Sequence, residues 1–160
     1  MLESDEFWQI VVAKDQFDLT NLSVAEIVNR IRSSTAQATI RLWTPNVSLY
    51  LLKYRHTNAM VDPGKPGFVF YHSRKLNRSV AAIVNTLVHE YIHVVDHFGD
   101  GNSVGEFGHG DQSSAGKQNT APYWIGEQAY RFHSGSDKAS SGLSDPHADR
   151  GEVDPADVVD

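Results

Sequence analysis

The segment of residues 80–95 contains neither glycine nor proline, and its only carboxylate, Glu90, directly follows His89 and stands three residues before His93. About twenty residues without a breaker exceed the length of a typical strand, so we predict a helix over residues 77–98. On a helix, residues four apart lie on the same face, so the imidazoles of His89 and His93 can bind one metal ion, while Glu90 can address a water on it. A buried glutamate is unfavourable unless something pairs with it, and a metal site supplies that pairing.

This His-Glu-x-x-His spacing is typical of a zinc hydrolase site. Two neutral imidazoles leave Zn²⁺ Lewis-acidic with an open position, and a neighbouring carboxylate can take the proton of a water that attacks a carbonyl carbon. We therefore predict a zinc-dependent metalloendopeptidase in which Glu90 is the general base acting on the metal-activated water. Composition alone would produce the bare pattern in roughly one chain in fifty of this length, so a fortuitous match or an enzyme that has lost its activity is the alternative.

Length and composition narrow the class of protein. A chain of 160 residues is expected to form one domain with a single core, so it needs no metal to hold it together. The absence of cysteine excludes a thiolate nucleophile, a zinc finger and a disulfide framework. There is no basic stripe that would predict nucleic-acid binding, and no apolar run of membrane-spanning length. Because the N-terminus is acidic, the default expectation is a cytoplasmic protein, with export by a route that needs no signal left open.

The end of the chain differs from the rest in charge. Residues 134–160 carry seven acidic side chains against two basic ones, no aromatic residue, and scattered serine, glycine and proline. Such a segment buries too little apolar area to offset the entropy of ordering it. We therefore predict a folded metallopeptidase domain over residues 1–133 and a disordered acidic tail over residues 134–160.

Apart from the motif helix, the chain is predicted to hold two further helices and three strands. The helices span residues 23–32 and 121–133, and the strands span residues 38–44, 48–55 and 68–72. Ser23 and Glu26 fit a capping box that begins the first of these helices. The first two strands are expected to form a hairpin. The third is expected either to be an ordinary strand of the sheet or to offer its exposed edge to an extended substrate. Residues 7–12 fit either a strand or the first turn of a helix.

The order of these elements resembles that of the zincin metallopeptidases. The resemblance implies an α+β fold in which a small mixed or antiparallel sheet packs on the His-Glu-x-x-His active-site helix, with a second helix towards the C-terminus. Two related layouts are excluded by the residues present. Metzincins have glycine and histidine where this chain has Asp96 and Gly99, and the usual peptide deformylase takes its third ligand from a cysteine.

Catalytic zinc takes three protein ligands, so one is required from outside the motif. His109 lies between Gly108 and Gly110, which let the backbone turn the imidazole towards the helix. Residues 68–130 are similar to small bacterial and phage zincin-like proteins, and this resemblance implies His109 as the third ligand. In gluzincins a glutamate on a following helix has this role, so Glu127 is the alternative. The remaining candidates are His97, Asp96, Asp100 and Asp111.

Zincin catalysis also needs a donor that stabilises the oxyanion opposite the general base. Tyr123 is the residue predicted for this role, with Tyr130 and His133 as alternatives, because all three follow the loop that should border the cleft. Asp96 or Asp100 is expected to accept the spare N–H of a metal-bound histidine. No spacing links the other histidines to the motif, so they are expected to be ordinary residues: His56, His72 and His147.

Two functions other than an endopeptidase are consistent with the sequence. One is a catalytically inactive zincin-fold protein that binds a partner, and the other is a zinc amidase that acts on cell-wall peptides. The expected partner of the enzyme is a protein or peptide substrate, and neither nucleic acid nor a membrane is expected. The sequence leaves the oligomeric state open.

Overall fold

A computed structural model of the chain describes residues 1–49, 51, 54–55, 57–62, 65, 67–98, 106–109 and 117–135. In chain order its elements are α1 (Asp5–Val12), α2 (Val24–Ser33), β1 (Thr39–Trp43), the short α3 (Val47–Leu49), β2 (Ala59–Val61), β3 (Phe68–His72), α4 (Val80–Phe98) and α5 (Ala121–Ser134). Four longer helices and a three-stranded sheet confirm the predicted α+β class. Of the predicted tail, residues 134–160, Ser134 is the last residue of α5 and Gly135 follows it, and the rest of the tail lies outside the described residues. Among the described helices, none is long and apolar enough to cross a membrane.

The first two helices begin where the local sequence satisfies their free backbone N–H groups. At the start of α2, Ser23 Oγ accepts a hydrogen bond from the N–H of Glu26 (3.3 Å), and Glu26 Oε2 accepts one from the N–H of Ser23 (2.8 Å). This is the predicted capping box. Residues 7–12, which the sequence left between strand and helix, belong to α1. Ser4 caps that helix by accepting a hydrogen bond from the N–H of Phe7.

The sheet is mixed, with strand order β1-β3-β2. Strand β1 runs parallel to β3, with Trp43 opposite His72, and β2 runs antiparallel to β3, with Ala59 opposite Tyr71. Strand β3 is therefore central, and neighbouring strands occupy both of its edges. The prediction that β3 offers an edge to an extended substrate is wrong for this reason.

The predicted hairpin between residues 38–44 and 48–55 is also wrong. Residues Val47–Leu49 form the short helix α3, and the partner of β1 is β3. Of the apolar residues that suggested a second strand, Tyr54 contributes to packing, whereas Leu51 is exposed. Tyr54 is fully buried and meets Trp43 edge to face, with 4.7 Å between the ring centroids. The second strand of the sheet is β2, which has three residues and is too short to show a periodicity.

Helix α4 contributes to two of the three hydrophobic clusters of the described residues. One side contributes three buried residues to the core that α4 shares with α1, α2 and α5, namely Val88, Ile92 and Val95. A second side places Val94 in a cluster with Val69 of the sheet. The remaining side carries His89 and His93 and faces α5, whose Tyr123 ring packs on His89. The helix that is predicted to carry the site is thus fixed by packing on its other sides.

Candidate metal centre

Three buried histidine side chains meet beside α4 and α5. His89 and His93 come from successive turns of α4, as their four-residue spacing requires. His109 comes from the loop segment of residues 106–109. The Nε2 atoms of His89 and His93 lie 3.3 Å apart, those of His89 and His109 3.3 Å apart, and those of His93 and His109 2.9 Å apart. The structure thus brings the two motif histidines together with the residue that the sequence favoured as third ligand.

The distances between these nitrogens fit a shared metal ion. For a tetrahedral zinc with Zn–N bonds of about 2.0–2.1 Å, neighbouring ligand nitrogens lie about 3.3–3.4 Å apart. The three Nε2 atoms of His89, His93 and His109 are separated by 2.9 to 3.3 Å. Each neutral Nε2 is either a donor or an acceptor, so at least two of the three have the same character, and their contact cannot be a hydrogen bond. A cation between them satisfies all three lone pairs, and this group could hold one.

Two further residues predicted for catalysis belong to the helices that carry or border this group. Glu90 follows His89 on α4 and is buried, with 1 % of its surface exposed. Tyr123 of α5 packs edge to face on the ring of His89, with 4.6 Å between centroids, and its centroid lies 5.1 Å from that of His109. The two side chains therefore come from the two helices that border the histidine group.

The segment of residues 106–109, which we call the His109 segment, is held from three directions. Phe107 is buried in the core formed with the helices. The side chain of Glu106 forms an ion pair with Arg30 of α2. The carboxylate of Asp96, near the end of α4, accepts hydrogen bonds from three successive backbone N–H groups of the segment. These contacts determine where the main chain lies when it reaches the third histidine.

Asp96 has a different role from either one that the sequence suggested for it. Its Oδ1 accepts from the N–H groups of Glu106 (2.8 Å) and Phe107 (2.9 Å), and its Oδ2 accepts from the N–H of Gly108 (2.8 Å). Both oxygens thus bind the loop backbone rather than a metal or the N–H of a histidine. Burial raises the pKa of the Asp96 carboxyl, whereas the three hydrogen bonds and the nearby His97 act to lower it.

Two glycines allow the parts of the site to approach closely. A Cβ atom on Gly108 would lie 2.8 Å from Oδ2 of Asp96. A Cβ atom on Gly126 would lie 3.0 Å from the backbone oxygen of Asn85 and 3.4 Å from Cβ of His89. The first glycine brings the His109 segment against α4, and the second brings α5 against α4.

Glu127, the alternative third ligand, contacts Arg131 of its own helix and Asn85 of α4. Its Oε1 accepts a hydrogen bond from Nε of Arg131 at 3.1 Å, and its Oε2 lies 3.5 Å from Nδ2 of Asn85. Within the described part of the chain, the side chains grouped to hold a metal are the three histidines. Glu127 therefore contributes to the contact between α5 and α4.

The other residues singled out from the sequence lie at various distances from this group. Tyr130 is two turns beyond Tyr123 on α5, and His133 is exposed near the end of that helix. His72 is fully buried at the end of β3, where its Nδ1 accepts a hydrogen bond from the N–H of Arg74. His72 thus has a local structural role, in agreement with its treatment as an ordinary residue. The residues outside the described ranges are Asp100, Asp111, His56 and His147.

No protein-family model, curated protein or solved structure matches the chain.

Two residues at the site were not predicted from the sequence. Asp96 was not connected with the loop, and Asn85 was not among the candidates. Both stand on the histidine-bearing side of α4, Asn85 one turn before His89 and Asp96 one turn after His93. Helical spacing was therefore a signal that could have found them.

Proposed function

We propose that the protein is a zinc-dependent metalloendopeptidase. The observation that carries this proposal is the convergence of three buried imidazole nitrogens beside the helix that also buries Glu90. Three protein ligands with a fourth position for water are the arrangement of catalytic zinc, whereas structural zinc sites fill four positions with protein ligands. A carboxyl group directly after the first histidine supplies the base that hydrolysis of a peptide bond needs.

His89, His93 and His109 would hold the ion. When bound, Zn²⁺ supplies Lewis acidity and lowers the pKa of a water molecule to about 7. Glu90 accepts the proton of the attacking water and later returns it to the leaving amine. Tyr123 packs edge to face on His89, and its hydroxyl would donate a hydrogen bond to the oxyanion that develops on the substrate carbonyl.

The first test measures metal content and hydrolysis together. We expect the purified protein to hold about one zinc per chain and His89→Ala to lose most of it, because two ligands do not make a catalytic zinc site. Glu90→Gln keeps the side-chain shape but cannot accept a proton. It should retain zinc and cleave a mixed set of quenched fluorescent peptides about 10²–10⁴-fold more slowly. Glu6→Gln makes the same chemical change at an exposed position of α1 and should keep the wild-type rate.

The outcomes separate the competing functions. Hydrolysis by Glu90→Gln at the wild-type rate would rule out Glu90 as the base. A wild-type protein without zinc would overturn the metal centre itself. Stoichiometric zinc without hydrolysis of proteins or peptides would favour the inactive interaction protein. Glu90-dependent cleavage of cell-wall peptides alone would favour the amidase.

A further inference from the structure

One buried carboxylate near the histidine group holds a loop rather than a metal. Asp96 is 5 % exposed and accepts hydrogen bonds of 2.8, 2.9 and 2.8 Å from three consecutive backbone N–H groups, those of residues 106–108. Successive main-chain N–H groups that converge on one anion form a compact binding concavity. Here the anion belongs to α4 and the concavity belongs to the loop.

The position of this contact connects it to the candidate metal centre. Asp96 lies one helical turn beyond His93, and the three N–H groups immediately precede His109. At the last of the three donors, a Cβ atom on Gly108 would lie 2.8 Å from Oδ2 of Asp96 and 3.4 Å from Nδ1 of His93. The loop backbone is therefore in close contact with the same turn of α4 that supplies the second imidazole.

We propose that Asp96 is a positioning residue that holds His109 at the metal centre and thereby raises its affinity for zinc. This inference rests on the proposed metal centre. Groups that orient metal ligands typically change metal affinity by 10- to 100-fold when they are removed. Asp96 acts one step further from the metal, through the main chain that carries the ligand rather than through the imidazole.

The other two contacts of the His109 segment cannot replace this one. The ion pair between Glu106 and Arg30 is solvent-exposed on both sides, and such pairs contribute little. Phe107 is buried in the core. Because apolar packing is not directional, it holds the ring in the core but does not orient the peptide group that follows. The hydrogen bonds to Asp96 are directional and include the N–H of the residue before His109.

The test is a double-mutant cycle on zinc affinity. Asp96→Asn is nearly isosteric, but it removes the charge and replaces one acceptor oxygen with an NH₂ group that faces N–H donors. Zinc affinity is measured by competition with a chromophoric chelator for the wild type, Asp96→Asn, His109→Ala and the double variant, with a weaker competitor for the two variants that lack His109. Denaturant unfolding of the four metal-free proteins records any general loss of stability.

We expect Asp96→Asn to lower zinc affinity about 10- to 100-fold in the wild-type background and less than about 3-fold in the His109→Ala background. Glu6→Gln, a loss of one carboxylate at an exposed position of α1, is the control and should change the affinity less than about 3-fold. If Asp96→Asn does not fold, Gly108→Ala perturbs the same contact from the loop side and should show the same dependence on His109.

Three results would contradict the inference or its basis, and each is distinct. An equal loss of affinity in both backgrounds would mean that Asp96 supports the fold and not the third ligand. No loss in the wild-type background would mean that Phe107 alone holds the segment. Wild-type zinc affinity in His109→Ala would instead overturn the three-histidine centre on which the proposed function depends.

Discussion

Replacement of Gly126 by alanine should weaken the contact between α4 and α5 at the metal centre. The added Cβ would lie 2.9 Å from Oδ1 and 3.0 Å from the backbone oxygen of Asn85, and 3.4 Å from Cβ of His89. The Asn85 side chain can rotate, but its backbone oxygen moves only with the helix. Since an ordinary carbon–oxygen contact is about 3.4 Å, α5 has to recede from α4 by roughly 0.4 Å at this point.

Two opposing effects set the change in the free energy of unfolding. Overpacking of a filled site costs about 1–3 kcal/mol, whereas alanine is favoured over glycine inside a helix by about 1 kcal/mol. We therefore expect the metal-free variant to be less stable by about 0–2 kcal/mol. The zinc affinity should fall by about 10-fold. Tyr123 on α5 packs on His89, so a shift of α5 moves the ring that holds this metal ligand in place.

Gly135→Ala is the matched control for this substitution. Gly135 ends α5 with a φ of 63°, and nothing lies within 4 Å of the position of its Cβ. Alanine there costs about 1–2 kcal/mol of stability through its left-handed conformation, without touching α4. Both variants are followed by denaturant unfolding without metal and by zinc competition. Wild-type zinc affinity in Gly126→Ala, or an equal loss in Gly135→Ala, would refute the role of close helix approach at His89.

Two further predictions concern pH and catalysis. Burial, with the charges of Lys75 and Arg74, lowers the pKa of His72 from 6.5 to about 4. The unfolded chain then binds a proton that the folded protein does not, so stability should fall as pH falls from about 6.5 to 4, by up to about 3 kcal/mol. His72→Asn, unfolded by denaturant in the presence of a chelator, should lose this part of the pH dependence, and an unchanged profile would contradict the assignment. Tyr123→Phe should keep zinc affinity and lower kcat for peptide hydrolysis about 10²–10³-fold, whereas an unchanged kcat would limit Tyr123 to packing.

Helices α2, α4 and α5 followed from the sequence because their signals are local. The capping box of Ser23 and Glu26 lies within one turn, and it places the start of α2 correctly. Helix α4 follows from an apolar run without a breaker, and its buried residues recur at helical spacing. Helix α5 was predicted over residues 121–133 and extends over Ala121–Ser134, with Gly135 as its left-handed end.

The pairing of the strands could not be obtained in the same way. Thr39 of β1 lies opposite Phe68 of β3, and all of α3 and β2 stands between them in the chain. Alternation of apolar and polar residues indicates which side chains share a face, but it does not specify the neighbouring strand. The sequence thus favours the nearest apolar run, residues 48–55, as the partner of β1, whereas the partner in the structure is β3.

The choice of the third ligand depends on a local contact within α5 and on a long-range contact between α4 and the loop. Glu127 stands four residues before Arg131, a spacing that favours an ion pair on one helix. This local signal makes Glu127 a weaker candidate for the third ligand than His109. The position of His109 depends instead on Asp96 and on backbone N–H groups, which every residue except proline carries. The sequence shows a carboxylate in an apolar helix, which needs hydrogen-bond donors when it is buried. A pattern of side chains cannot indicate which backbone N–H groups are these donors. An acidic residue one turn beyond a metal-binding histidine on such a helix is consequently better treated as a candidate anchor for a ligand-bearing loop than as a solvated helix end.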